Sequence, residues 1–220
     1  MSEHNSPSSP APTPIRAVLL DYGGVLAEEG FQGTLHAVAQ RHGLSQDAVY
    51  DAAREAIHDT GYLVGKGSEA QFWAELRRHF PAITEGDETL GRELFARFRL
   101  QPAMMEAVQR LRAAGLLCAV LSDQTDWLEE LDTRDHFFGE FDRVYNSYRV
   151  GKSKADASVF DDVVQDLGSK PQETIFVDDK EGHVERARSR GLHGIHFHSV
   201  EDCLQRLETL TGVPLGDDHT

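Results

Sequence analysis

Three short apolar runs, each ending on a polar residue, organise this chain. Ile15–Leu20 ends at Asp21, Leu116–Leu121 at Ser122 and Asp123, and Thr174–Val177 at Asp178 and Asp179. Runs this short have the length of buried strands rather than of helices. Between the first and second, residues 27–99 carry no strand signal and about four helical stretches. The first stretch bears Leu35 and Val38; the second bears Leu44, Ala48, Val49, Ala52, Ala56 and Ile57. The third opens on Ser68-Glu69-Ala70-Gln71, a capping-box pattern, and continues through Phe72, Trp73, Leu76 and Phe80; the fourth bears Leu90, Leu94, Phe95 and Phe98. A helical block of that size can bury a small core of its own, so it is expected to form an inserted cap.

From Pro102 the pattern alternates. A helix over Pro102–Ala114 opens on proline and stops at Gly115. Strand 116–121 follows, then a helix near 125–132, a strand at Arg143–Ser147 and a helix at Ala155–Leu167 closed by Gly168. Strand 174–177, a helix over Gly182–Arg190, strand Gly194–His198 and a helix over Val200–Leu210 complete the series. Such alternation with short connections predicts an α/β fold with a parallel, doubly wound sheet. The expected organisation is a core of residues 15–26 and 100–211 around a cap of 27–99. A Ser/Pro-rich disordered tail over 1–14 and a flexible one over 212–220 flank it.

Strand ends on one edge of an open parallel sheet form the ligand crevice. If the three apolar runs share one sheet, Asp21, Ser122, Asp123, Asp178 and Asp179 converge there, with Lys154 between the second and third runs. Taken singly, each has a plainer explanation as a turn former, a helix cap or a surface lysine. Together they suit Mg²⁺-assisted phosphoryl transfer. Asp21 is the candidate nucleophile, since a carboxylate can attack phosphorus and divide the hydrolysis into two steps. Asp21, Asp178 and Asp179 are candidate metal carboxylates. The Ser122 hydroxyl and the backbone N–H groups after it are candidate phosphate donors, and Lys154 a point charge.

The composition adds limits. With 40% hydrophobic and 27% charged residues, the chain is ordinary for a soluble globular protein. A net charge of −15 excludes a nucleic-acid surface, which needs a basic face. No run approaches the roughly 18 apolar residues of a membrane span, and the N-terminus lacks a signal-peptide pattern. Cys118 and Cys203 read as buried thiols of a cytoplasmic protein. Nothing in the pattern specifies an oligomeric state. His193, His196 and His198 suggest a metal, with His196 and His198 on one strand face, but no Cys or carboxylate completes a zinc set.

The ordered set of motifs resembles the haloacid dehalogenase-like hydrolase superfamily. LLDYGGVL corresponds to its first motif, with Asp21 as the matching nucleophile, and VLSD to its second, at Ser122. Gly151-Lys152-Ser153-Lys154-Ala155-Asp156-Ala157 matches the third and selects Lys154 over Lys152, although the flanking prolines are alanines here. FVDD matches the fourth at Asp178 and Asp179. The resemblance covers residues 15–210 and extends to the Gly67–Trp73 segment of the cap. It implies a Rossmann-like core and a Mg²⁺-dependent phosphatase of a small phosphorylated metabolite, acting through an aspartyl-phosphate.

One position departs from the pattern. Family phosphatases carry an aspartate two residues after the nucleophile, whose carbonyl binds Mg²⁺ and whose side chain is the general acid–base. Gly23 keeps the carbonyl and lacks the side chain, a loss that typically costs ~10²–10⁴ in rate. Glu28, Glu29, His58, Asp59 and Tyr62 are the candidate substitutes, though each has a plainer reading as a solvent-side or helix-end residue, and Gly65-Lys66-Gly67 reads equally as a mobile segment touching substrate or as a simple turn. The alternatives are a catalytically impaired phosphate-binding or regulatory protein, and a metal-free 2-haloacid dehalogenase. A two-component receiver domain would lack the helical insertion.

Overall fold

The computed structural model describes residues 14–216, so most of the expected N-terminal tail and residues 217–220 lie outside the described residues. Five parallel strands form one sheet in the order β3-β2-β1-β4-β5. They are β1 (Ala17–Leu20), β2 (Leu117–Ser122), β3 (Arg143–Asn146), β4 (Thr174–Asp178) and β5 (His193–His196). The helices that join them are α5 (Pro102–Ala113), α6 (Trp127–Asp135), α7 (Ser147–Val150), α8 (Ser158–Asp166), α9 (Glu181–Ser189) and α10 (Val200–Thr211). Between β1 and α5 lie α1 (Phe31–Arg41), α2 (Gln46–Asp59), α3 (Glu69–His79) and α4 (Asp87–Arg97). The α/β class and the doubly wound sheet are therefore as the pattern predicts.

Period-2 alternation buries both faces of the sheet. Val18, Leu20, Val120, Ile175 and Val177 face one apolar cluster with Val108 and Leu111 of α5 and Cys203 and Leu207 of α10. Leu19, Ala119, Leu121 and Phe176 face the other, with Val159, Phe160 and Val163 of α8 and Ala187 of α9. β1 runs centrally, its successors β2 and β3 lie on one side, and β4 and β5 lie on the other. The chain thus reverses its winding between β1 and β4, the switch point where open α/β sheets bind ligands.

The helical block differs from the expected self-contained cap in one respect: its apolar residues belong to the same cluster as the core. Trp127 of α6 packs with Phe31, Tyr62, Phe72 and Trp73, at ring-centroid distances of 6.2, 5.6, 5.7 and 6.1 Å. An aromatic cluster spanning both parts removes more apolar surface from water than either side holds alone. The two connecting segments are also paired. Glu28 N donates to Arg99 O and Gln101 N to Leu26 O, each at 2.8 Å. The Ser68 capping box forms as predicted.

Three local expectations change. Residues 61–67 form no mobile flap. Gly61 and Gly65 bracket a 3-10 turn at Tyr62–Val64. Ser147 Oγ donates to Leu63 O at 2.8 Å, and a Cβ on Gly65 (φ +72°) would stand 2.3 Å from Tyr148 O. That close approach clamps the turn to α7, and glycine is what permits it. β5 ends at His196, because Ser199 caps α10 with its side chain, so His198 does not share a strand face with His196. Residues 212–216 do not run free: Leu215 is buried, and Glu208 Oε1 accepts from Leu215 N and Gly216 N at 2.5 and 2.8 Å.

Trp127→Ala is expected to cost about 3–5 kcal/mol of stability. Because the cluster is shared, chemical denaturation should still show one transition at a lower midpoint; two separated transitions would mean that the helical block and the sheet are held independently.

Candidate active site

At the carboxyl edge of the switch point, strand register fixes the spacing of the polar residues. Asp21 N donates to Val177 O at 2.9 Å, which continues the β1–β4 ladder one residue past Leu20. Asp21 therefore stands level with Asp178 at the end of β4. The next turn carries Asp179 against the first loop, where a Cβ on Gly24 (φ +83°) would lie 2.8 Å from the Asp179 carboxyl carbon. Only glycine fits both the backbone and that contact.

Lys154, 1% exposed, joins the two strand ends. Its Nζ lies 2.9 Å from Asp21 Oδ1 and donates to Asp178 Oδ2 at 2.6 Å. The loop before α8 is positioned by Asp123, whose Oδ1 accepts from Lys154 N at 2.8 Å. One oxygen of the Asp123 carboxylate is thus engaged in holding the lysine loop. Lys152 pairs with Asp162 on the outside. Ser122 is 2% exposed, lines the same cavity, and its hydroxyl makes no hydrogen bond among the described residues.

Asp21, Asp178 and Asp179 each present an oxygen within 4.8 Å of the others. Their charges differ in environment. Burial, more than any other cause, pushes the Asp21 carboxyl up to about 7; Lys154 opposes this, while Asp178 and Asp179 add to it. Burial also disfavours the Asp178 anion, but Lys154 and His183 outweigh it and hold this carboxyl below the usual range. For Lys154 burial opposes the charge, and Asp178, Asp21 and Asp123 more than restore it. Lys154, with Lys180 paired to Asp179 at 2.8 Å, sets two positive charges against three carboxylates. Three oxygen donors at this spacing with surplus negative charge fit a small hard divalent cation.

The site opens into a cavity of about 530 Å³. Sheet-edge residues Asp21, Gly23, Ser122, Asp123, Lys154 and Asp179 form its floor, and Phe31, Tyr50, Arg54, Ile57, His58 and Leu63 of the helical block line it as well. Of the candidate substitute acids, Glu29 and His58 reach the cavity; Glu28, Asp59 and Tyr62 do not. Glu29 caps α1, accepting from Phe31 N and Gln32 N at 3.1 and 2.8 Å, and burial raises its carboxyl. Tyr62 is fully buried and its hydroxyl donates to Asp126, a tie between the two parts of the molecule. His193 and His196 approach backbone carbonyls of Gln172 and Asp179, each at 3.0 Å, and His198 lies against the His196 ring.

Sequence reasoning passed over His183, Lys180 and Gln124. His183 Nδ1 lies 3.1 Å from Asp178 Oδ2, and Lys180 N donates to Asp178 Oδ1 at 2.7 Å. The +5 and +2 spacing of His183 and Lys180 from Asp178, across a helix start, is the signal in the sequence.

The geometry described so far has close parallels. Residues 15–189 match the family model of haloacid dehalogenase-like hydrolases. The chain belongs to that family. Bifunctional epoxide hydrolase 2 of Rattus norvegicus is 25% identical over 90% of this chain and 39% of its own length. Acyl-CoA dehydrogenase family member 10 of Mus musculus is 34% identical over 52% of this chain and 11% of its own. This chain therefore spans only a minor part of those relatives. Sesquiterpene phosphatase astK of Aspergillus oryzae is 28% identical over 56% of this chain and 66% of its own length. Among solved structures, a HAD family enzyme of Bacteroides thetaiotaomicron superposes with a TM-score of 0.72 at 19% identity, over 89% of this chain and 99% of that one. The same enzyme has also been solved with magnesium and inorganic phosphate, where the TM-score is 0.62 and the coverage 82% and 93%. No helix among the described residues is long and apolar enough to cross a membrane.

A raised Asp21 binds a proton in the folded state that the unfolded chain has lost, so its contribution to stability falls between about pH 4 and pH 7. Asp21→Asn, in EDTA, should therefore gain stability relative to the parent as pH rises from 5 to 8, by the order of 1–4 kcal/mol. Unfolding midpoints measured at the two pH values check this; a pH-independent difference would contradict the assigned environment.

Proposed function

We propose that this chain is a Mg²⁺-dependent phosphatase of a small phosphorylated metabolite, with Asp21 as nucleophile. The observation that carries the reading is the sharing of Lys154 between Asp21 and Asp178, on the floor that also presents the uncommitted Ser122 hydroxyl. The phosphatase named among the relatives and the phosphate held by the structural neighbour support it. The buried free thiols Cys118 and Cys203 suit a cytoplasmic setting.

In the first step an Asp21 oxygen attacks phosphorus, the ester P–O bond breaks, and the leaving oxygen takes a proton from solvent water while the phosphoryl group stays on Asp21. In the second, water attacks the same phosphorus, the Asp21–phosphate bond breaks, and inorganic phosphate departs. Lys154 holds the nucleophile and offers positive charge to the transferring group. Ser122 Oγ and the backbone N–H groups after it receive non-bridging oxygens. Asp178 and Asp179, with the Gly23 carbonyl, would hold Mg²⁺, which neutralises charge on both reactants. Lys154 beside Asp21 favours the anion that attacks.

The proton for the leaving alcohol has no donor at position 23. Phosphoryl transfer rests mainly on positioning and electrostatics, so the reaction proceeds best with a good leaving group. A second reading, a phosphate-ligand-binding protein with impaired chemistry, is favoured by this one feature. The acidic trio argues against metal-free dehalogenation, although L-2-haloacid dehalogenase of Xanthobacter autotrophicus shares the fold at a TM-score of 0.61 and 19% identity.

Phosphate release from a metabolite panel should require Mg²⁺, stop in EDTA and fall to background in Asp21→Asn. Release by no substrate above that variant would leave the binding reading. A Cβ at position 23 meets only the Phe98 ring edge, at 3.4 Å, so an aspartate is accommodated. Gly23→Asp should raise kcat, by up to ~10²–10⁴ for a poor leaving group; unchanged turnover would show that another group already supplies the proton.

A further inference from the structure

Two guanidinium groups at the cavity are left without carboxylates. Most arginines of this acidic chain hold acids, among them Arg41 with Glu85 and Glu93, Arg77 with Asp87, Arg149 with Glu129, and Arg190 with Asp161. Arg54 on α2 and Arg186 on α9 line the cavity, and among the described residues neither is within ion-pairing distance of a carboxylate. Arg54 has its guanidinium carbon 5.8 Å from the Tyr50 ring centroid, a stacking partner that orients it without neutralising it. Arg186 Nη1 donates to Gly182 O at 2.9 Å, one of five donors satisfied.

The other charged groups of the cavity are committed. Lys154 is tied to Asp21 and Asp178, and Lys180 to Asp179 at 2.8 Å. Glu29 caps α1, and Asp123 holds the Lys154 backbone. Arg54 of α2 and Arg186 of α9 thus line one cavity from different elements. Two like charges sharing one cavity repel, and an anion received between them relieves the repulsion while using the planar forks that fit carboxylate and phosphate oxygens.

We propose that the substrate is a phosphomonoester with a second anionic group at its far end, a carboxylate or another phosphate, which Arg54 and Arg186 receive. This rests on the phosphatase reading and narrows its substrate class. The aromatic and aliphatic lining from Phe31, Tyr50, Ile57 and Leu63 would cover the carbon chain between the two anionic ends.

The test uses matched esters with three- and five-carbon chains: the plain alkyl phosphate, the ω-carboxylate and the α,ω-bisphosphate. Both kcat/KM and calorimetric binding to the Mg²⁺-loaded protein are measured. The expected result is a preference of about tenfold or more for one or both anion-bearing series over the alkyl phosphate, the size of one charge-assisted contact. The two arms tell carboxylate from phosphate. In Arg54→Gln and in Arg186→Gln the preference ratio should shrink by a similar factor. Equal handling of plain and anion-bearing esters, or a preference that survives in both variants, overturns the proposal. Should no ester turn over, the phosphatase reading falls, while the binding ratios still uphold or overturn the anionic subsite.

Discussion

Lys154 ties the ends of two adjacent strands together through their carboxylates, and the arrangement of the site follows from that bond pair. Asp21 and Asp178 sit side by side because β1 and β4 are hydrogen-bonded neighbours in register. Two buried carboxylates at that spacing repel, and a single ammonium between them makes the pair tolerable. The compensation is incomplete, since Asp179 with its partner Lys180 still leaves three carboxylates against two ammonium groups. Burial, reinforced by Asp178 and Asp179, keeps Asp21 reluctant to ionise alone, and the charge left over makes the edge receptive to a cation. Stability and reactivity therefore draw on the same imbalance.

The rest of the chain serves to keep this edge in place and to enclose it. The Asp123 carboxylate fixes the Lys154 loop, and the Gly24 backbone leaves room for Asp179. Above the edge, the helical block is joined to the core by paired connecting segments, by the Tyr62–Asp126 and Ser147–Leu63 hydrogen bonds, and by the aromatic cluster about Trp127. These ties set one wall of the cavity against the other. They also explain why the region around Gly65 is a rigid turn: its glycines serve close packing.

Much of this was legible because it follows from short-range rules. Apolar runs ending on Asp21, Ser122 and Asp178 specified buried parallel strands, and the polar residue beyond each run fell on the carboxyl edge. The Ser68 capping box and the Pro102 start marked helix boundaries within a residue or two. What escaped depends on contacts distant in sequence. Tyr62 reads as a solvent-side or helix-end residue of the cap and is instead a buried tie, because its partner Asp126 is contributed by a segment far along the chain. His183 gains meaning only once the start of α9 is folded back on Asp178. The roles of Arg54 and Arg186 depend on what they lack, a carboxylate neighbour, which no linear pattern shows.

The central claim is that the Lys154-bridged acidic edge takes a divalent cation and a phosphate group together. Calorimetric titration of the full chain with Mg²⁺, in the absence and presence of inorganic phosphate, tests it without reference to turnover. One saturable site per chain is expected, weakened in Asp178→Asn and tightened by phosphate. Absence of saturable binding, or binding unaffected by both the substitution and the phosphate, would contradict the account.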